Sequence, residues 1–107
     1  MIVRVVTKHD GEGVFPTFAI GTPVEIGESC KHFLGWCACV IDGHNTYVPH
    51  IFVKNSKLIV NYNPTELVQG VGDILKVQEI VHSWLLATNA SGEKGWFPAE
   101  AVISVEV

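Results

Sequence analysis

The sequence carries little positive charge and few cysteines. Seven lysines and arginines stand against eleven acidic residues in 107, so the formal net charge is −4. The seven cations are scattered, and no basic stripe exists that would follow a phosphate backbone, which argues against a nucleic-acid partner. All three cysteines lie between residues 30 and 39, so they do not form a disulfide framework for the whole chain.

Long apolar runs are missing as well. No run approaches the roughly 20 residues that a membrane-spanning helix needs. The first residues alternate between apolar and polar and lack the apolar block of a signal peptide. We therefore expect no membrane association and a cytoplasmic location. Apolar residues still make up 48% of the chain, which is enough for a core.

Helical periodicity is absent, whereas alternation with a period of two recurs. Leu75 and Val77 fall on one face of a predicted strand, with polar residues between and after them. The pair Asp42-Gly43 between two apolar runs is a strong hairpin signal. The fold class is therefore predicted to be all-β. Strands are predicted near residues 2–7, 24–26, 33–41, 45–48, 58–62, 74–79, 82–88, 94–97 and 102–106, with one 3₁₀ turn at residues 49–52.

One stretch, residues 66–102, carries a recognisable series of motifs. They are Glu66-Leu67, Gly72-Asp73, Trp84 with Ala87 three places on, Gly95-Trp96-Phe97-Pro98, and a closing Val102. This series resembles the body of a Src homology 3 (SH3) domain. The resemblance implies a small β-barrel that binds extended, proline-rich peptides and catalyses no reaction.

The same pattern recurs about fifty residues earlier in the chain. Residues 21–26 align with 72–77, residues 36–39 with 84–87, and residues 47–53 with 96–102. The chain therefore resembles two tandem SH3-like barrels, residues 1–56 and 57–107, with residues 54–57 as the linker. Because a domain of about 50 residues buries only about 60% of its chain surface, we expect the barrels to pack together and to unfold as one unit.

The resemblance also implies two peptide grooves lined by aromatic side chains. A polyproline II peptide is already ordered, and flat rings offer it apolar area and hydrogen-bond donors. Carried over by motif, the groove of repeat one contains Asp10, Glu12, Trp36, Tyr47, Pro49 and Phe52, and that of repeat two contains Tyr62, Glu66, Trp84, Trp96 and Pro98.

Each groove departs from the family pattern at one position. In repeat one, His9 stands at a position where the family has tyrosine. In repeat two, Ala101 stands at another such position. Phe52 keeps the aromatic wall that Ala101 loses, so repeat one is the expected binding groove. Its ligand would be a basic, proline-rich segment of a partner protein.

Packing is the alternative role for the same aromatic residues. Leu85 and Ala87 take the core face of their strand, which leaves Trp84 facing outward into either a groove or a contact between barrels. In the second case the grooves are buried between the barrels or in a homodimer, and the protein has an assembly role. A cell-wall-binding module is a third alternative, which would require export. The loop acids have an alternative role as solvated surface charges.

Metal binding and catalysis find little support. The spacings among Cys30, His32, Cys37 and Cys39 occur at metal sites, but strand phase turns Cys37 and Cys39 inward, where free cysteine packs as a small hydrophobe. No phosphate-binding glycine loop or nucleophile elbow is present, and no His-acid-nucleophile set can be placed on one face. We therefore predict a binding protein with no enzyme activity, no metal and no cofactor.

Overall fold

The protein is all-β, as its alternating pattern predicts. The structure is a computed structural model that describes residues 1–105. Within this range no helix is long and apolar enough to cross a membrane. The elements are β1 (Ile2–Val5), β2 (Val24–Ser29), β3 (Trp36–Ile41), β4 (His44–Pro49), a 3₁₀ turn (His50–Phe52), β5 (Val53–Lys54), β6 (Lys57–Leu58), β7 (Ile74–Val81), β8 (Trp84–Thr88), β9 (Lys94–Pro98), a second 3₁₀ turn (Ala99–Ala101) and β10 (Val102–Ser104).

The chain forms two compact units. One, here called the split unit, consists of Met1–Val14 and Thr65–Val107, and the other, the middle unit, consists of Phe15–Pro64. The predicted division at residues 56 and 57 does not follow these units. Each unit takes its opening segment from the other predicted repeat.

The split unit contains a five-stranded antiparallel sheet in the order β10-β1-β7-β8-β9. In β1, Val3 pairs with Leu75 on one side and Ser104 on the other. The inward residues of β1 are Val3 and Val5, and both are buried. They join a core that contains Val3, Val5, Leu67, Leu75, Leu85, Ala87, Phe97 and Ala101. The first strand of the chain is therefore an internal strand of this sheet.

The middle unit contains the three-stranded sheet β2-β3-β4 and the small hairpin β5-β6. Isolated bridges join Phe18 to Tyr62 and Pro23 to Lys57, so residues 57–62, the predicted opening of repeat two, pair with residues of this unit. The predicted strand at 58–62 is only partly formed, because β6 ends at Leu58. The inward positions predicted for Cys37 and Cys39 in this unit are confirmed by their burial, and Val48 is buried with them.

Three hairpins turn on two residues that both have positive φ, as type I′ turns require. In Asp42-Gly43 the φ angles are 49° and 78°, and the predicted hairpin there is confirmed. In Asn55-Ser56 they are 54° and 60°, so the predicted linker at 54–57 is instead a hairpin inside the middle unit. In His82-Ser83 they are 41° and 67°, and the predicted strand at 82–88 therefore begins only at Trp84.

The other predicted elements agree with the structure apart from their ends. The 3₁₀ turn predicted at 49–52 is present at His50–Phe52. The strand predicted from residue 33 begins at Trp36, because Trp36 N donates to the Phe33 carbonyl and closes a turn. The last predicted strand is present as β10, and Glu106 lies outside the described residues.

Candidate functional site

The exchange of opening segments regroups the predicted groove residues. The middle unit contains Trp36, Tyr47, Pro49, Phe52 and Tyr62, and the split unit contains Asp10, Glu12, Glu66, Trp84, Trp96 and Pro98. Asp10 and Glu12, which were predicted to lie in the same groove as Trp36, therefore belong to the split unit, as Trp84 does. Tyr62, predicted to line the second groove, belongs to the unit of Trp36. Each predicted groove therefore draws its residues from both units.

Tyr62 is a packing residue of the middle unit in this structure. Its ring meets Phe52 edge to face, with the centroids 5.6 Å apart. Its hydroxyl donates to the carbonyl oxygen of Tyr47 at 2.6 Å. The phenol donor that a peptide carbonyl would need is therefore already used within the unit, and the side chain is buried.

The three tryptophans are buried rather than exposed. Trp36, Trp84 and Trp96 are 5%, 8% and 3% exposed. Leu85 and Ala87 lie in the core as predicted. Trp84, predicted to face either a groove or a contact between barrels, is buried as well, whereas Leu86 and Thr88 on the same face of β8 are half-buried. Pro49 and Pro98, which pair with Trp36 and Trp84 across the strands, are buried as well. Tyr47 differs, since 43% of its surface is exposed.

His9 connects the first loop to the body of the split unit. Its Nε2 lies 2.5 Å from Oε1 of Glu66, and both side chains are mostly buried. Its ring meets Trp84 and Phe97 edge to face, at 5.5 and 5.4 Å between centroids. Its backbone also exchanges two hydrogen bonds with Gln69. Glu66, predicted to face a peptide, is therefore engaged inside the unit. The sequence had marked His9 only as a departure from the family, and a partner 57 positions away leaves no local signal.

The other two loop acids lie at the surface. Asp10 forms an ion pair with Lys8 at 3.3 Å, and both side chains are largely exposed. Exposed pairs of this kind contribute about 0–1 kcal/mol to stability. Glu12 is exposed as well. The exposure of Asp10 and Glu12 is compatible with both predicted roles, a contact to a peptide and a solvated loop charge.

All three cysteines belong to the middle unit, where Cys37 and Cys39 lie on β3 and Cys30 directly follows β2. Burial raises the pKa of the Cys37 thiol above its ordinary value, and the neighbouring Cys30 adds a smaller effect in the same direction. The Cys37 thiol donates to the carbonyl oxygen of Val48 at 3.6 Å. Across residues 1–105, no three histidine, cysteine or acidic side chains are grouped so that they could hold a metal ion.

Thiol labelling of the native protein should separate Cys30 from the other two cysteines. Cys30 is half-buried, whereas Cys37 and Cys39 are buried, so we expect fast reaction at Cys30 and slow reaction at the others. The thiolate is the reactive form, so the raised pKa moves the reaction of Cys37 to higher pH. Mass spectrometry of the labelled peptides measures each rate. Equal rates at all three sites in the native protein would contradict the burial, and equal rates in denaturant are the control.

The same pKa shift has a consequence for stability. The folded state holds the Cys37 proton more tightly than the unfolded state does. Its contribution to stability is therefore complete below the ordinary thiol pKa and is lost as the pH rises through the raised value. Cys37→Ser, which removes this titration, should flatten that part of the profile of unfolding free energy against pH.

Comparison with known proteins identifies one family. The sequence matches the variant SH3 domain over residues 52–105, and the match gives a single copy. The matched range begins in the middle unit and ends in the split unit. It therefore includes residues 64 and 65, between which the chain leaves the middle unit and enters the split unit. No curated protein and no solved structure matches the chain. The matched family is a peptide- or protein-binding module and not a catalytic one. Because the match covers 54 of the 107 residues, the protein belongs to the variant SH3 domain family.

Proposed function

We propose that this protein is a non-catalytic protein-interaction module in which the aromatic groove residues serve as packing and the partner binds elsewhere. The observation that carries the proposal is the burial of Trp36 and Trp84, at 5% and 8% exposure. A groove for a polyproline II helix needs exposed rings, because the peptide gains its affinity by stacking on them.

The hydrogen bonds around these rings support the same function. The Tyr62 hydroxyl and the His9 imidazole stand at the family's tyrosine positions, and both are paired inside their own units. A docking peptide would have to break these pairings before it could form its own. Replacing these internal hydrogen bonds by bonds to a peptide would add little to the binding free energy, since an unsatisfied buried polar group costs about 1–3 kcal/mol.

We further propose that both units are SH3-like, although the family match gives one copy. Matching strand registers support this. Trp36 pairs with Pro49 in the middle unit, as Trp84 pairs with Pro98 in the split unit. In each unit the hairpin is followed by a 3₁₀ turn of three residues and a short strand. The same order of elements with the same register is what two copies of one barrel would have.

A titration with basic, proline-rich peptides tests whether the aromatic groove residues serve as packing and bind no peptide. We expect no saturable shift of the indole signals of Trp36, Trp84 and Trp96 in NMR spectra of the full chain, even at millimolar peptide. An established SH3 domain titrated with its own ligand is the positive control. A saturable shift at the Trp36 indole, with an affinity near 1 μM or about −8 kcal/mol, would overturn the proposal and restore the predicted groove.

A further inference from the structure

We propose that the outward face of β1 and of the two strands beside it binds an acidic, aliphatic segment of a partner protein. This face, here called the Arg4 face, consists of Ile2, Arg4, Ile74, Lys76 and Ile103. The inference rests on the proposed function in one respect, namely that the partner binds outside the aromatic residues.

Strand register places three of these side chains in one row. Val3, Val5 and Leu75 point into the core, so the residues that alternate with them point outward. Arg4 lies directly opposite Ile103 on β10 and opposite Ile74 on β7. Directly opposed residues in an antiparallel sheet have their Cβ atoms about 5 Å apart. Ile74 and Ile103 are 44% and 45% exposed, so the row is an apolar surface with a cation at its centre.

A second row continues this surface and adds another cation. Ile2 pairs with Lys76, and Lys76 pairs with Thr88 on its other side. Arg4 and Lys76 are both exposed, and neither forms an ion pair with any residue in the range 1–105. The two rows together therefore present three isoleucines and two positive charges that have no ion-pair partner among the described residues.

Acidic residues are absent from this part of the sheet. β1, β10 and residues 74–78 contain no aspartate or glutamate, and the next acid on β7 is Glu79, beyond a register shift and opposite Leu86. Asp73, the residue before β7, accepts hydrogen bonds on its carboxylate from Gly70 N and Gln69 Nε2. On a chain of net charge −4, two cations in rows that contain no acid among the described residues are a local reversal of sign. Complementary charge and apolar area would come from a partner with carboxylates set between aliphatic side chains.

The same charges argue against other occupants. A basic, proline-rich peptide would meet like charge at Arg4 and Lys76. Nucleic acid would find two cations where a phosphate backbone needs a longer track. A second copy of this chain brings its own net charge of −4, and the two copies repel each other at long range.

A peptide titration of the labelled full chain tests the Arg4 face. The probe is a short synthetic peptide in which glutamate alternates with leucine, and the control peptide has glutamine in place of glutamate. We expect saturable amide shifts at Arg4, Ile74, Lys76 and Ile103 with the acidic peptide and much smaller shifts with the control. The affinity should fall as salt is raised, because exposed charges are screened beyond about 8–10 Å near physiological ionic strength.

Charge reversal provides the matched variants. Arg4→Glu and Lys76→Glu should each weaken the acidic peptide by about tenfold or more, since each replaces an attraction by a repulsion. Lys54→Glu, an exposed lysine in the middle unit, carries the same charge change and should leave the affinity unchanged. Spectra of each variant check the fold, and Lys76→Gln replaces any variant that does not fold.

The outcomes separate this inference from the proposed function. No saturable shift, or shifts confined to another face, would overturn the Arg4 face alone. Shifts at the tryptophan indoles would also overturn the proposed function, in which the aromatic groove residues serve as packing. A dimer in analytical ultracentrifugation that Arg4→Glu dissociates would show that a second copy occupies the face, and that would overturn the proposed partner.

Discussion

The fragment 57–107, produced without residues 1–56, is expected not to fold. This fragment is the second predicted repeat, but it lacks β1, which pairs with both β7 and β10 in the split unit. Without β1 the sheet loses an internal strand, and the core loses Val3 and Val5. Fully burying one valine side chain contributes roughly 1.5–3 kcal/mol, and a domain of this size is marginal even when complete. Circular dichroism and NMR dispersion of the fragment measure the result.

A peptide of residues 1–14 supplied in trans provides the control. It should restore dispersed amide signals in the fragment 57–107, because it contains β1 and His9, the two elements that the split unit takes from the first repeat. The same peptide with Val3 and Val5 changed to aspartate should fail, since both positions are buried. Cooperative folding of 57–107 alone would contradict the exchanged arrangement and restore the boundary predicted after residue 56.

The strand content of this fold is encoded locally, whereas the exchange of strands is not. Alternation of side chains was sufficient to place Leu85 and Ala87 inward, and Asp42-Gly43 was sufficient to place a hairpin. Residues 4–9 and 57–62 resemble each other, so the pattern does not specify which sheet each segment joins. The hairpin at Asn55-Ser56 lacks the glycine that usually marks a type I′ turn, and its absence made these residues resemble a linker.

The candidate site was less predictable, because its environment depends on contacts distant in sequence. The sequence pattern of β8 identifies its core face, but it does not determine which residues pack against the opposite face. The sequence therefore left both a groove and a contact between barrels open for Trp84, whose side chain is buried in the structure. The pairing of His9 with Glu66 joins two loops 57 positions apart. Motif resemblance named the residues at the family's groove positions, but it did not show whether those positions are open.

Trp36→Ala is expected to destabilise the protein by about 3–5 kcal/mol. Trp36 is 5% exposed, so truncation removes a large apolar side chain from a buried position and leaves a cavity. The loss is a large fraction of the 5–15 kcal/mol by which domains are typically stable. Urea unfolding followed by circular dichroism measures the change as a lower midpoint at constant m-value.

Tyr47→Ala is the matched control for this change. Tyr47 lies on β4, two residues before the Pro49 that pairs with Trp36, and it is 43% exposed. The carbonyl oxygen that accepts the Tyr62 hydroxyl belongs to the backbone, so this hydrogen bond survives the substitution. We therefore expect a loss of about 1 kcal/mol or less. If Trp36→Ala were as mild as Tyr47→Ala, Trp36 would not be a packing residue, and the open groove predicted from the family pattern would again be the better account of these aromatic side chains.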